Sequence, residues 1–289
     1  MIEGRARGWA LAALGMLLVS TDSFFIRLAD TDGWTIAFLV TAASLPLQLL
    51  LQRFLDGGRP VEKFRAYPRG LLTVGVLSGI SQVCFVTAVT RTDVANVVVI
   101  VAASPILAAV IGRVVYGERT ERQVWVAILI TLVGVVIVVS ASIGEPNLVG
   151  DLLALGAVAA FATNINVWRR YSDQSRFVGL AIAALVTLLI AAPFADPFGQ
   201  DARVYLACAG MGLVFNPLGR LCHTSAPRHA PAAEVALFTP VETLAATTWA
   251  WIAFSEQPPL QTFVGGGVIL AGLVFGTLGR REPSVRLRA

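Results

Sequence analysis

One stretch of this chain occurs twice. Residues 90–139 read TRTDVANVVVIVAASPILAAVIGRVVYGERTERQVWVAILITLVGVVIVV, and residues 228–278 read RHAPAAEVALFTPVETLAATTWAWIAFSEQPPLQTFVGGGVILAGLVFGTL. An offset of 138 pairs Ala95 with Ala233, Val97 with Val235, Glu118 with Glu256, Gln123 with Gln261 and Gly134 with Gly272. Each copy is an apolar run broken by Ser-Pro or Thr-Pro, then a glutamate, then a second apolar run. Ser104-Pro105 and Thr239-Pro240 keep an offset of 135 instead, so the two prolines are displaced by about one helical turn. A unit of this kind, used twice, points to a duplicated membrane element.

The rest of the chain agrees. It is 56% hydrophobic and 14% charged, with a mean hydropathy of +0.74, and its charges gather between apolar runs long enough to cross a hydrocarbon core of about 30 Å. Ten spans are expected, at 8–26, 34–52, 70–89, 94–115, 123–142, 149–168, 177–195, 204–223, 231–254 and 260–279. The N-terminal charge and apolar run resemble a signal peptide, but no clear small-x-small cleavage site follows, so the run is taken as the first span. The longest link, 53–69, carries Asp-Gly-Gly-Arg-Pro and reads as a solvated turn region; the segment after Arg280 reads as a short, basic, disordered tail.

Lys and Arg alternate across these spans. Nineteen of the 22 fall on the side of the N-terminus, and Arg27, Arg91 and Arg203 fall on the other. By the positive-inside rule both termini are cytoplasmic, which requires an even number of spans. Five spans per half then make the halves inverted: residues 1–142 form the first five-helix repeat and 143–289 the second, with the basic tail. The expected fold class is an all-α integral membrane protein, ten transmembrane helices in two inverted five-helix repeats around a central cavity. Inverted repeats recur in secondary transporters, where one unit used upside down supplies an inward-open and an outward-open state of similar energy.

Several chemistries find no footing. No GxxxxGK[ST] occurs, so ATP hydrolysis is not expected. Two histidines and three dispersed cysteines (Cys84, Cys208, Cys222) offer no metal or disulfide spacing, and the net charge of +4 belongs to membrane orientation rather than to nucleic acid. An integral membrane enzyme acting on lipid would need paired acids or a nucleophile at a cytoplasmic edge, and only Arg220 with His223 approaches that. No cofactor is expected.

Polar residues deep in the spans are the functional candidates, because charge near a helix centre costs roughly 2.5–3.5 kcal/mol on insertion scales and faces a bundle interior or water. Two acids are deep enough, Asp22 and Glu242. The first helices of the halves match at an offset of 142, which pairs Gly8 with Gly150, Thr21 with Thr163 and Asp22 with Asn164. Span three carries Ser78, Ser81, Gln82 and Phe85 on one face. Span four offers Asn96, Ile100 and Ser104. Span six carries Phe161, Asn164 and Trp168; span eight Gly212, Asn216, Arg220 and His223; span nine Phe238, Glu242 and Trp249. The candidate substrate-binding set is Thr21, Asp22, Gln82, Phe85, Asn96, Ile100, Ser104, Thr163, Asn164, Trp168, Asn216, Phe238 and Glu242. Single Ser or Thr residues in such helices usually bond their own backbone, and the aromatics also serve as packing. Gly75-xxx-Gly79 and Gly272-xxx-Gly276 allow close helix approach, by default within the bundle, leaving a monomer or weak dimer.

With its ten spans, its inverted halves and the cadence from Ser104-Pro105 to Gly117-Glu118-Arg119, the chain resembles the drug/metabolite transporter superfamily, EamA type. Its second copy departs, with Ser255 before Glu256. It also looks similar to the bacterial aromatic amino acid exporter branch. That resemblance implies outward movement of phenylalanine, tryptophan, tyrosine and toxic aromatic compounds through a central cavity, by alternating access, in the inner membrane. The partners it implies are a small amphipathic metabolite, the lipid bilayer and protons as a candidate coupling ion; facilitated diffusion and proton antiport both fit.

Overall fold

The computed structural model of the chain describes residues 2–89, 91–92, 94–140, 147–255 and 257–278. Glu256, which the repeat pairs with Glu118, and the basic tail from Arg280 lie outside the described residues. Every regular element among the described residues is helical, and seven helical stretches are long and apolar enough to cross a membrane: Gly4–Ala29, Gly33–Asp56, Asn96–Tyr116, Arg122–Val139, Leu148–Arg170, Ala202–Arg228 and Leu260–Thr277. The expected spans at 70–89, 177–195 and 231–254 are not in that set. They hold an intact helix of 22 residues (Pro68–Val89), an apolar helix of 16 (Arg176–Ala191) and a broken pair.

In chain order the helices are α1 (Ile2–Val19), α2 (Thr21–Ala29), α3 (Gly33–Leu51), α4 (Pro60–Ala66), α5 (Pro68–Val89), α6 (Val94–Ala102), α7 (Ser104–Tyr116), α8 (Arg122–Val139), α9 (Leu148–Arg170), α10 (Arg176–Ala191), α11 (Ala202–Gly210), α12 (Asn216–Ser225), α13 (Ala232–Ala236), α14 (Thr239–Phe254) and α15 (Leu260–Leu278). The link at 53–69 is more ordered than its composition indicates: a π turn over Gln52–Asp56 extends α3, and Pro60 opens α4 at a position where its missing N–H costs nothing. Large apolar side chains on the outer faces remain uncovered, Val114 at 78% and Leu206 at 73% exposure, as a lipid-facing belt requires.

Breaks within spans have local causes. Pro105 and Pro240 lack an N–H and open α7 and α14 after one- and two-residue turns at Ala103 and Leu237-Phe238. Pro217 follows a π turn over Met211–Phe215, whose wider bore relieves the clash between a proline ring and the preceding turn. The first span breaks without proline. Ser20, Thr21 and Ser23 turn their hydroxyls onto the carbonyls of Leu17, Leu18 and Ser20 at 2.6, 2.7 and 2.8 Å, which competes with the helix ladder at three nearby positions.

The closest seams are built on glycine. A Cβ at Gly134 of α8 would meet the Gly265 carbonyl and Ile269 of α15; one at Gly272 or Gly276 would meet Thr131 or Ala127 of α8. Gly75 and Gly79 of α5 lie against Ile182 and Val186 of α10. The glycine pairs are therefore used inside the bundle. Gly265→Leu is expected to destabilise the protein by about 1–3 kcal/mol through overpacking, read as a lower melting temperature in detergent, with a lipid-facing control such as Leu270→Val unchanged.

A second contact pattern links the halves. Gly8 of α1 packs on Ala230, and Gly150 of α9 packs on Thr92. At the repeat offsets Gly150 answers to Gly8 and Ala230 to Thr92, so α1 rests on the residue two ahead of α13, and α9 on the residue two ahead of α6.

Asp32 caps α3, its Oδ1 accepting from the backbone N–H groups of Trp34 and Thr35 at 2.9 Å each. Partial burial pushes this carboxyl up, but the hydrogen bonds from the Thr35 side chain and the two backbone groups outweigh it and hold the pKa below the usual value. A depressed native pKa gives stability that is present above the unfolded value and lost as pH falls through the native one. Asp32→Ala is expected to cost roughly 0.5–1 kcal/mol at neutral pH, the low half of the capping range because solvent screens the site. In a melting series the difference from the parent should vanish below the carboxylate range.

Candidate functional site

Asp22 and Glu242 both stand where a helix restarts after a break. Asp22 is in the first turn of α2, after the hydroxyl-driven break, and Glu242 is in the first turn of α14, after Thr239-Pro240. The N-terminal end of each half-helix carries partial positive charge that favours a carboxylate there.

Asp22 opens a chain of hydrogen bonds that crosses the bundle. Asn216 Nδ2, placed by the π turn at the head of α12, donates to Asp22 Oδ2 at 2.7 Å. Arg220, one turn further along α12, donates through Nε to Asn216 Oδ1 at 2.9 Å and through its terminal nitrogen to Gln82 Oε1 of α5 at 3.4 Å. The other Asp22 oxygen, Oδ1, is buried and has no hydrogen-bond partner. Glu242 lies within electrostatic reach of Asp22 and Arg220.

This chain forms one wall of a cavity of about 180 Å³. The remaining walls are apolar, from Ile26, Ile36, Val40, Phe85, Leu180 and Met211, with a polar strip of Thr41, Ser44 and Gln48 on α3 and Thr187 on α10. Apolar walls with a few convergent polar groups are the usual make-up of a small-molecule site.

The structure brings Asp22, Gln82, Phe85 and Asn216 of the candidate set together at this cavity. Others are engaged in seams. Asn164 donates to Val74 O and Ser78 Oγ, both 2.8 Å, and ties α9 to α5. Thr21 and Thr163 bond their own helices, to Leu18 O and Ala159 O at 2.7 Å each. Asn96 donates to Thr92 Oγ1 at 3.4 Å, and Ile100 packs with Ala88, Val97 and Ala154. Trp168 is buried beneath the Arg176 guanidinium, 4.6 Å from the ring centroid. Phe238 is in the main core. Ser104 is fully buried and its hydroxyl meets that of Thr239 at 3.5 Å, so the two proline-flanking residues of the repeat touch. Arg220, Gln48 and Ser44 belong to the cavity and were not in the candidate set. His223 is buried against Phe161, ring centroids 5.6 Å apart, with Nε2 unpaired.

The end of the bundle that holds the N-terminus is drawn together. Trp9 Nε1 donates to Glu234 Oε2 at 2.8 Å, and Arg5 reaches Glu121 at 3.0 Å and Glu234 at 3.9 Å. Arg169 pairs with Glu118 at 3.1 Å and donates to Pro227 O at 2.9 Å.

The profile of the EamA-like transporter family matches this chain twice, over residues 6–140 and 148–278. The chain belongs to the EamA-like transporter family. It is a multi-pass membrane transporter, built as the family is from two repeats. Curated relatives include the pseudopaline exporter CntI of Pseudomonas aeruginosa (strain UCBPP-PA14), 27% identical over 71% of this chain and 73% of that one. An uncharacterized transporter of Archaeoglobus fulgidus is 23% identical over 92% of this chain and 95% of its own length. The inner membrane protein YtfF of Escherichia coli is 23% identical over 69% and 72%. A crystal structure of a protein 16% identical in sequence shares the fold, with a TM-score of 0.81 over 94% of this chain and 97% of the other. Within the EamA-like family frame, the match boundary at 140–148 falls between α8 and α9.

Proposed function

We propose that this EamA-like transporter exports small amphipathic metabolites, aromatic amino acids foremost, across the inner membrane by alternating access. The observation that carries the reading is the Asp22–Asn216–Arg220–Gln82 chain on one wall of a cavity whose other walls are mainly apolar. An amino acid zwitterion matches its polarity. The unpaired Asp22 oxygen suits an ammonium, the remaining Arg220 N–H groups suit a carboxylate, and Phe85, Ile36 and Met211 suit a ring.

In this reading α5, α10 and the α13–α14 pair supply the three crossings beyond the seven long apolar stretches. The chain then crosses ten times, as two inverted five-helix repeats, 1–142 and 143–289, with both termini cytoplasmic. The exchanged packing of Gly8 on Ala230 and Gly150 on Thr92 supports the inversion. The latch of Arg5, Trp9 and Glu234 closes the cytoplasmic end, which makes the state outward-facing. Asp22 and Glu242 provide carboxyls for proton antiport.

The test is binding in detergent. Labelled phenylalanine should be held by the purified protein and displaced by tryptophan and tyrosine, but not by glutamate. Absence of displaceable binding by any aromatic amino acid would sink the substrate assignment. A second reading, a metabolite of a different class, draws on the relative named as a pseudopaline exporter and would show as displacement by other solutes in the same assay.

A further inference from the structure

A polar stripe runs down α3 from the cavity to the basic end. Thr41, Ser44, Gln48 and Gln52 recur at intervals of three and four residues, which places them on one helical face, and the π turn sets Asp56 four residues further. Ser44, Gln48 and Gln52 are 7%, 3% and 0% exposed. Gln52 donates through Nε2 to Gly57 O at 2.9 Å. The oxygen atoms do not share that fate: Gln48 Oε1, Gln52 Oε1 and Asp56 Oδ2 are all buried and without a hydrogen-bond partner. At the same end, leading into α10, Gln174 is fully buried with both amide atoms unpaired, and Arg176, 3% exposed, has an unpaired Nε.

Buried polar atoms without partners are rare and costly in native proteins. Among the described residues such atoms gather on the stripe and at its mouth, apart from Asp22 Oδ1 and His223 Nε2, and Thr41, Ser44 and Gln48 of the stripe line the same cavity as Asp22. Ordered water satisfies such groups, each molecule taking two to four partners. Side chains this buried leave no passage for a solute.

We propose that the stripe is a file of ordered water through which protons pass between the basic end and Asp22 while the substrate route at that end stays shut. The proposal rests on the reading of the cavity as the transport site. Protonated Asp22 gives its proton through Oδ1 to the nearest water, each water passes one on, and a hydronium leaves at the mouth. The carboxyl becomes a carboxylate and every water is regenerated. Gln48 and Gln52 order the file without being protonated. The charged groups facing Asp22 are Arg220 from α12 and Glu242 from α14. Those facing Asp56 are Lys63 of α4, at 3.7 Å, and Arg176 of α10.

Two measurements test it on the full-length protein with Cys84, Cys208 and Cys222 replaced by serine. The first needs no substrate. X-ray radiolysis, which generates hydroxyl radical from ordered water itself, should oxidise Gln52→Cys at least tenfold faster than Leu50→Cys, a position 54% exposed on the apolar surface. Equal rates, or no reaction at Gln52→Cys in protein that elutes as a folded peak, overturn the water file. The second uses Gln52→Leu in proteoliposomes with phenylalanine. Counterflow should stay within twofold of the parent while accumulation driven by a pH gradient falls at least tenfold. A parent that shows counterflow without any response to the gradient overturns the proton role and leaves the cavity intact. A parent without counterflow removes the cavity reading, and the labelling ratio still decides the water file.

Discussion

Arg220→Met is expected to weaken substrate binding by about 100-fold, the equivalent of roughly 3 kcal/mol for a charge-assisted hydrogen bond lost inside the protein. Arg220 holds Asn216 Oδ1 at 2.9 Å and Gln82 Oε1 at 3.4 Å, and it faces Asp22. Methionine keeps an unbranched apolar stem but leaves both amide oxygens unpaired and the carboxylate without its countercharge. Arg220→Lys should recover only part of the loss, because an ammonium on a flexible stem does not reproduce the fork that spans two acceptors. The readout is the KM for exchange of labelled phenylalanine in proteoliposomes, with melting temperature as the control for folding. A KM within threefold of the parent in Arg220→Met would remove the arginine from the binding account.

Glu242→Gln is expected to leave exchange at a fixed pH within a few-fold of the parent and to flatten its dependence on pH. Glu242 stands in the first turn of α14, half-buried, in the field of Asp22 and Arg220. Glutamine matches its shape and removes the exchangeable proton. Exchange rates measured from pH 5 to 9 for parent and variant decide the matter. Superimposable profiles would show that Glu242 has no ionic role in the cycle. A variant that loses exchange at every pH would instead place its charge in substrate binding.

Much of the architecture was legible in the chain because membrane insertion writes it plainly. Apolar length follows from the cost of exposing polar groups to lipid, and the repeated Pro-to-Glu cadence marks the two copies that the family profile matches separately. Ser78, Gln82 and Phe85 line the cavity from α5, while Ser81, grouped with them by spacing, donates to Ala157 O of α9 at 3.0 Å. Other placements depended on knowing a neighbour. Asn164 has the depth and polarity of a cavity residue, yet the face it occupies meets α5, and Val74 O and Ser78 claim it. Trp168 lies at the correct depth for a basic-end aromatic, beneath Arg176.

Three features left weaker signals. The break before Asp22 carries no proline; only the cluster of Ser20, Thr21 and Ser23 marks it. Arg220 near a span end resembles an interfacial anchor, yet after the π turn and Pro217 it reaches Asn216 and Gln82 inside the bundle. Gln48 and Gln52 sit in a run of leucines, where a stripe one residue wide is hidden unless read at helical period.

Counterflow tests the central claim most directly. Proteoliposomes preloaded with unlabelled phenylalanine, and empty ones, are exposed to labelled phenylalanine outside, with a polar amino acid as control. A transient accumulation of label that requires preloading and the protein, and that Arg220→Met depresses, is the result this account predicts. No accumulation, in vesicles whose protein is folded and inserted, would contradict it.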